Sequence, residues 1–356
     1  MKDSRNTIRG NLRHQLVDMM FLAISAAVCG VTDWIDVEEF GKGQLSWLRK
    51  YFPFKNGIPS HDTLGRVFAQ LDTEEFSRCF TAWVNHISSF TQGQLIAIDG
   101  KRLRGSYDKA DNKAALHMVS AYATMDHLCL QQVAVSKKSN EITAIPQLLD
   151  LLTITGCTIS IDAMGCQRDI CTKIVDKQAD YIVGLKANQK GMLEQVEKVF
   201  KITAIADQDT AYHLGHGRME TRTCQTITDL MHFDDYKDWP GITSLIRVKA
   251  KRVNKSTGKE ENQLRYYISS KDVPASQFNH EIRDHWLIEN KLHWSLDVNF
   301  GEDQSRKRKG NAPYNANLLY KIALGLIEKN DSKLPRSRQR TKAAFDPKFR
   351  EKILRI

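Results

Sequence analysis

The hydrophobic pattern of this 356-residue chain changes from a helical to a strand period near residue 94, and this change constrains the fold most strongly. Before it, apolar residues recur at helical spacing at Leu12, Leu16, Met19, Ala23 and Ala27. Further helices are predicted around 37–51, after Asp62, where the Ser60-His61-Asp62 run can cap a helix, and after Thr73. Residues 1–90 are therefore predicted to form a small all-helical domain.

From residue 94 onward, apolar or alternating runs predict a mixed sheet. LIAIDG, ALHMVSAYATM and LCLQQVAVS predict three consecutive strands. A helix at AIPQLLDLLTI, a strand at TISIDAMG, a helix at RDICTKIVDKQ and a strand at DYIVGLKANQ follow. This order predicts an α/β fold in which helices flank a mixed sheet.

The regular alternation is interrupted between about residues 190 and 278. Alternating segments such as RMETRTCQTI, SLIRVKAKRV and LRYYISS predict a β-rich insertion there. Helices resume at HEIRDHWLIENKLHWSLDV and NANLLYKIALGLIEK. The last residues, 331–356, are strongly basic, with nine Lys and Arg against two acids from Lys333 to Arg355, and predict a flexible or phosphate-binding tail.

Charge and cysteine content restrict the class of protein. A formal net charge of +10 indicates a polyanionic partner, although an ordinary basic protein is an equally acceptable interpretation. Seven scattered cysteines without a CxxC pair favour a reducing compartment and argue against a cysteine zinc site. The apolar stretch 19–31 resembles part of a signal peptide, but its helical spacing favours a buried helix, so a cytoplasmic location is predicted.

Two aspartates follow apolar strands directly. Asp99 ends the run LIAI and Asp162 ends ISI, so each is predicted at the carboxyl end of a strand, where α/β sheets place their sites. Neighbouring carboxylates repel each other unless cations neutralise them, and a pair of Mg²⁺ ions can do so while assisting phosphoryl transfer. The alternative is that both are turn residues after strands.

Long motifs distributed over nearly the whole chain carry a family resemblance. They read IPSHDTLGRVF, IAIDGKRLRGS, KSNEITAIPQLL, IDAMGCQRDI, VGLKANQ, HGRMETR, RYYISS and HWLIENKLHWSLDVNFGED. With them the chain resembles the H-repeat-associated transposases of bacterial insertion sequences, which are acid-triad (DDE) transposases with an RNase H-like catalytic core. The resemblance assigns the triad to Asp99, Asp162 and Glu289.

The resemblance also implies an activity and partners. The triad would bind two Mg²⁺ ions, which Mn²⁺ can replace, and the catalytic domain would span 91–330. The protein would hydrolyse double-stranded DNA at the terminal inverted repeats of its element and transfer the strand, acting as a homodimer or larger multimer without a membrane. The helical domain would recognise the element ends. A nuclease without strand transfer and a catalytically silent or domesticated DNA-binding protein remain alternatives.

The helix predicted to carry the glutamate departs from the family pattern. Helper positions for tyrosine, arginine and lysine hold Ile282, His285 and Leu296, so those roles do not transfer. Glu302 and Asp303 compete with Glu289 as the third acid.

Histidines at His285 and His293 share one predicted helix face with Glu289, between Trp286 and Trp294. They would contact DNA or orient water. The alternatives are a zinc site, although the spacing is not HExxH, and a packing role.

Basic residues near the acids are the predicted DNA contacts. Such cations would offset repulsion between the carboxylates and phosphates. In HGRMETR the basic residues alternate and would share one strand face with Glu220, and solvated surface charge is the alternative for the whole set. The predicted contacts are Lys101, Arg102, Arg104, Lys186, Arg218 and Arg222.

Overall fold

The N-terminal part of the chain consists of helices. The computed structural model describes residues 3, 5, 12–88, 93–107, 114–136, 140–215 and 217–356. Ser60 accepts a hydrogen bond from the Thr63 amide and so caps a helix where the polar run predicted one. Met19 and Leu22 are buried in the first helix, so the apolar stretch 19–31 contributes to the core. The helices are α1 (Leu16–Val28), α2 (Trp34–Leu48), α3 (His61–Gln70) and α4 (Thr73–Ile87).

Among the residues that the structure describes, nine strands form one mixed sheet. Their order across the sheet is β3-β2-β1-β4-β5-β9-β8-β7-β6, in which β1, β4 and β5 are parallel and the other pairs antiparallel. This confirms the predicted mixed sheet. The strands are β1 (Leu95–Leu103), β2 (Leu116–Ala123), β3 (Leu128–Ala134), β4 (Thr158–Ile161), β5 (Asp180–Leu185), β6 (Asp207–Gly215), β7 (Arg218–Ile227), β8 (Ser244–Asn254) and β9 (Glu260–Ser269).

Helices cover the two faces of the sheet. Ser160 of β4 lies against His285, whereas the next residue, Ile161, lies on the side of Ile145 in α5, because successive strand residues point to opposite faces. The long helix α10 packs on α1, α3, α4 and β3, which joins the N-terminal helices to the sheet in one hydrophobic core. The helices after β3 are α5 (Glu141–Asp150), α6 (Arg168–Asp176), α7 (Lys190–Ile202), α8 (Ala275–Asp284), α9 (Trp294–Val298), α10 (Ala312–Glu328), α11 (Arg336–Phe345) and α12 (Pro347–Leu354).

The strands between α7 and α8 extend the sheet itself. Strand β9 pairs with β5 in antiparallel register, with Gly184 opposite Tyr267, and β8, β7 and β6 continue outward from it. The hydrophobic face of these strands is covered by α8, which contacts β6 and β7. The part of the chain predicted as a β-rich insertion therefore widens the surface next to Asp99 of β1 and the carboxyl end of β4.

The basic C-terminal segment is folded, in contrast to the expected flexible arm. Helices α11 and α12 pack against α1 and α10. Arg340 donates to the carbonyl of Ala27 and lies over the ring of Phe300, while Arg350 is fully buried over the ring of Trp47. Aromatic faces and helix carbonyls thus hold cations that the composition alone assigned to a solvated tail. No helix in the described part of the chain combines the length and apolar character needed to cross a membrane.

Candidate active site

The three predicted acids meet at one cleft. Strands β1 and β4 are parallel with Ile98 opposite Ile161, so the residues that follow, Asp99 and Asp162, are neighbours at the same edge of the sheet. Both line a cleft of about 500 Å³ together with Glu289. The prediction that an acid ends a strand holds for Asp162, which follows β4, but not for Asp99, because β1 continues to Leu103 in its pairing with β2. The parallel register of β1 and β4 nevertheless brings the two aspartates together.

The helix that carries Glu289 is interrupted. Helix α8 ends at Asp284, residues Ile288–His293 form a π-helical segment, and α9 then resumes the regular helix. Wider π turns inside helices occur frequently at functional sites. This segment brings Glu289 and His293 close to Asp99 of β1. Ligand atoms of these three residues all lie within 4.8 Å of one another. Asp162 is outside that group but lines the same cleft.

The three carboxylates of this cleft raise one another's cost of ionisation. Burial, followed by the negative charges of Glu289, Asp162 and Glu141, raises the pKa of Asp99 to about 8. Among the described residues, neither Asp99, Asp162 nor Glu289 forms an ion pair with a lysine or arginine. Bound cations would offset the repulsion between these neighbouring carboxylates.

The two histidines of this region differ in their surroundings. His293 is buried with its Nδ1 3.6 Å from Oδ2 of Asp99, and burial holds its pKa well below the ordinary value, so the ring is neutral. His285 Nδ1 lies 3.0 Å from the Ser160 hydroxyl, and burial lowers its pKa to about 4. The alternative zinc site required His285, Glu289 and His293 to lie together. In the structure His285 contacts Ser160 of β4, and the group of possible ligands consists of Asp99, Glu289 and His293.

The competing third acids are engaged elsewhere. Glu302 is buried, with Oε2 2.8 Å from the Lys101 ammonium and Oε1 bound by the Asn317 amide. Asp303 lies 3.6 Å from Arg104. These contacts separate both acids from the cleft and leave Glu289 as the acid that faces Asp99.

Lys101 differs most from its predicted placement as a DNA contact. Its side chain is 11% exposed and bridges Asp297 and Glu302. An ammonium shared by two carboxylates inside the protein is not available to phosphates. The corrected role of Lys101 is to join β1 to the segment after α9.

The other predicted basic contacts are distributed over two surfaces. Arg102, Arg104 and Lys186 are exposed, and Lys186 lies at the wall of the cleft. Arg218 and Arg222 of β7 share a face with Glu220, as the alternation predicted, and line an adjoining pocket. Arg222 is only 6% exposed there.

A fourth acid was missed by the sequence reasoning. Glu141, at the start of α5, places Oε1 2.7 Å from Nε2 of His117. The pair fills the space beside Gly100, where an added Cβ would lie 2.1 Å from that carboxylate oxygen. A side chain after Asp99 would thus collide with Glu141, which explains the glycine of the DGK word. The signal was present in the motif KSNEITAIPQLL, to which no role was given.

The substituted helper positions have packing roles or bind the sheet. Ile282 and Leu296 are 2% and 0% exposed, so they belong to the core. His285, at the arginine position, contacts Ser160. The departure from the family pattern is thus accommodated by packing.

Comparisons with known proteins agree along the chain. Residues 91–326 match the family described as Transposase DDE domain, and residues 1–84 match a DDE_Tnp_1-associated family. The chain is 42% identical to "Putative transposase YncI" of Escherichia coli O157:H7, covering 97% of this chain and 90% of that protein. It is 38% identical to "H repeat-associated putative transposase YhhI" of Escherichia coli K12, covering 96% and 93%.

Among solved structures, the chain superposes on the piggyBac transposase in a synaptic complex with hairpin DNA. The TM-score is 0.44 at 10% identity, with 100% of this chain and 76% of that chain covered. This likeness is too weak to support a conclusion about this protein.

Proposed function

The chain belongs to the DDE transposase family, as its motifs predicted, and we propose that it cleaves and joins DNA at the ends of a bacterial insertion sequence. The observation that carries this proposal is the convergence of Asp99, Asp162 and Glu289 on one cleft without a lysine or arginine partner among the described residues. A group of carboxylates without basic partners is typical of a site that binds divalent cations for phosphoryl transfer, and it is not typical of a structural ion pair.

The donor set fits hard divalent cations. Asp99, Asp162 and Glu289 would hold two Mg²⁺ ions, with Mn²⁺ able to replace them, because these ions prefer carboxylate oxygens. Burial raises the pKa of Asp99, the negative charges of nearby acids raise it as well, and bound cations would neutralise those charges. When bound, such ions polarise the phosphoryl oxygen and lower the pKa of water.

The chain around the acids supports an RNase H-like core. Strands β1 to β3 run antiparallel, and β4 and β5 lie parallel to β1, in the order β3-β2-β1-β4-β5. In this proposal residues 91–330 are the catalytic domain, and residues 1–90 recognise the terminal inverted repeats. Two or more copies would hold two element ends together.

The proposed reaction has two steps at one cleft. Water attacks the phosphorus at the element end, the bond to the 3′ oxygen breaks, and a 3′ hydroxyl and a 5′ phosphate remain. That hydroxyl then attacks a phosphodiester of the target, forming one bond and releasing one target 3′ hydroxyl. Lys186, exposed at the cleft wall, and Arg102 and Arg104 would face the phosphates.

The experiment compares purified variants on a plasmid that carries the gene with its native flanks, in Mg²⁺ or Mn²⁺. Asp99→Asn is expected to lower the cleavage rate about a thousandfold, since metal assistance contributes several kcal/mol. Glu289→Gln should behave alike, whereas the matched control Asp303→Asn should cleave normally. If Asp303→Asn loses DNA cleavage and Glu289→Gln retains it, the assignment of Glu289 as the third acid is wrong.

The products separate this proposal from its alternatives. Joined products support a transposase, and nicked DNA without joining indicates a nuclease on the same core. Tight binding without nicking by any protein, in either metal, indicates a catalytically silent DNA-binding protein.

A further inference from the structure

A second pocket adjoins the catalytic cleft and is lined by arginines. It has a volume of about 450 Å³ and lies between β7, β8, β9 and α8. Its acids are Glu220 and Asp284, so the formal charge of its lining is +3. The arginines are Arg218, Arg222, Arg252, Arg265 and Arg283.

Part of this charge is balanced inside the pocket. Glu220 accepts hydrogen bonds from Arg252 at 2.8 Å and from Arg283 at 2.9 Å. Asp284 lies 3.1 Å from His280. Both carboxylates thus already have partners, and Arg218, Arg222 and Arg265 form no ion pair with an acid in the described part of the chain.

Arg222 is the unusual group. It is 6% exposed, and its Nε is buried with no hydrogen-bond partner within the part of the chain that the structure describes. Burial lowers its pKa. A buried guanidinium without a full set of acceptors is costly for the fold alone, and an anion entering the pocket would supply them.

The pocket is continuous with the catalytic cleft. Arg265 and Trp286 line both, and the guanidinium of Arg265 lies 4.6 Å above the centre of the Trp286 ring. A strand held at Asp99 and Glu289 can therefore pass Trp286 and reach Arg222 without leaving the protein surface.

We infer that this arginine pocket binds a backbone phosphate of the DNA strand that runs out of the catalytic cleft, with Arg222, Arg265 and Arg218 as the contacts. The inference rests on the proposed function for its choice of DNA over a small anion. Arginine forms paired hydrogen bonds with phosphate oxygens, and such contacts position a strand without reading its sequence. The pocket would thus fix the position of the scissile bond relative to the acids.

The test measures DNA binding without divalent metal, so that it is independent of cleavage. The probe is a duplex made from the native flank of the gene, titrated in EDTA at several salt concentrations. Arg222→Gln, Arg218→Gln and Arg265→Gln should each weaken binding about tenfold. Each should also reduce the slope of log K against log salt by about 0.9 for a duplex phosphate contact, or about 0.7 if the contacted strand is single.

The matched control is Lys249→Gln. Lys249 is exposed on the opposite face of β8 and carries the same charge, so this variant should change neither quantity. Because Arg222→Gln leaves a polar group in a buried position, Arg218→Gln and Arg265→Gln provide the readout if that variant does not fold.

The outcomes are distinct. Unchanged slopes in Arg218→Gln and Arg265→Gln overturn the inference, while loss of cleavage in Asp99→Asn still supports the proposed function. Equal protection of the wild-type protein against heat by inorganic phosphate and by the duplex, abolished in both variants, indicates a small-anion site and also overturns it. Reduced slopes with normal cleavage by Asp99→Asn support the pocket and contradict the proposed function.

Discussion

Two groups of acids lie near the end of β1, and they differ in what balances them. Asp297 and Glu302 share the Lys101 ammonium, and Glu302 is also bound by Asn317. Asp99, Asp162 and Glu289 share a cleft without such a cation among the described residues. Balanced charges hold elements together, whereas unbalanced charges of one sign must take their partner from solution. The contrast supports the proposal that the second group binds the metal ions.

The largest expected effect breaks the balanced group. Lys101→Met leaves Glu302 buried without its cation and should lower the free energy of unfolding by about 3–5 kcal/mol, as measured by urea denaturation. The control Lys173→Met removes an exposed pair with Asp150 and should cost about 1 kcal/mol or less. If Lys101→Met has normal stability but binds DNA more weakly, Lys101 is a DNA contact after all, as the sequence predicted.

A smaller effect tests whether Glu141 belongs to the unbalanced group. Glu141→Gln removes a negative charge that acts on Asp99 while keeping a side chain of the same size beside His117. Binding of Mn²⁺, measured by calorimetry on metal-free protein, should weaken about tenfold. Glu39→Gln, on the exposed surface of α2, is the control. If Glu141→Gln binds Mn²⁺ as tightly as the control Glu39→Gln does, the role of Glu141 is limited to packing beside Gly100.

The third test uses the pH dependence of the stability of the metal-free protein, whose change over a single pH unit is the smallest of the three effects. The folded pKa of Asp99 is raised to about 8, above its ordinary value of about 4, so its stabilising contribution is complete below the ordinary value and is lost as pH rises through about 8. In EDTA, the stability of wild type relative to Asp99→Asn should fall by roughly 1 kcal/mol per pH unit in this window.

Added Mg²⁺ near pH 8 should reverse this loss in the wild-type protein and leave Asp99→Asn unchanged. A difference between the two proteins that stays constant with pH would show that Asp99 is ionised without help. Lys101→Met keeps Asp99, Asp162 and Glu289, so this variant should gain stability on addition of Mg²⁺ as the wild-type protein does.

Several elements follow from local patterns alone. The period change at residue 94 predicted the helices before it and the strands after it, and RMETRTCQTI predicted the bounds of β7. These predictions of helices and strands succeed because hydrophobic periodicity and helix capping depend on residues close together in sequence. The C-terminal segment shows the limit of composition, since Arg340 and Arg350 are basic yet buried.

What the sequence determined by itself is the set of acids that follow apolar runs and the family to which its motifs belong. Only the tertiary structure decided that Lys101 and Glu302 balance each other, that the π segment brings Glu289 and His293 to Asp99, and that Arg222 is buried beside the cleft. The reason is physical: a residue's charge is written in the chain, but its burial and partners arise from segments far apart in sequence.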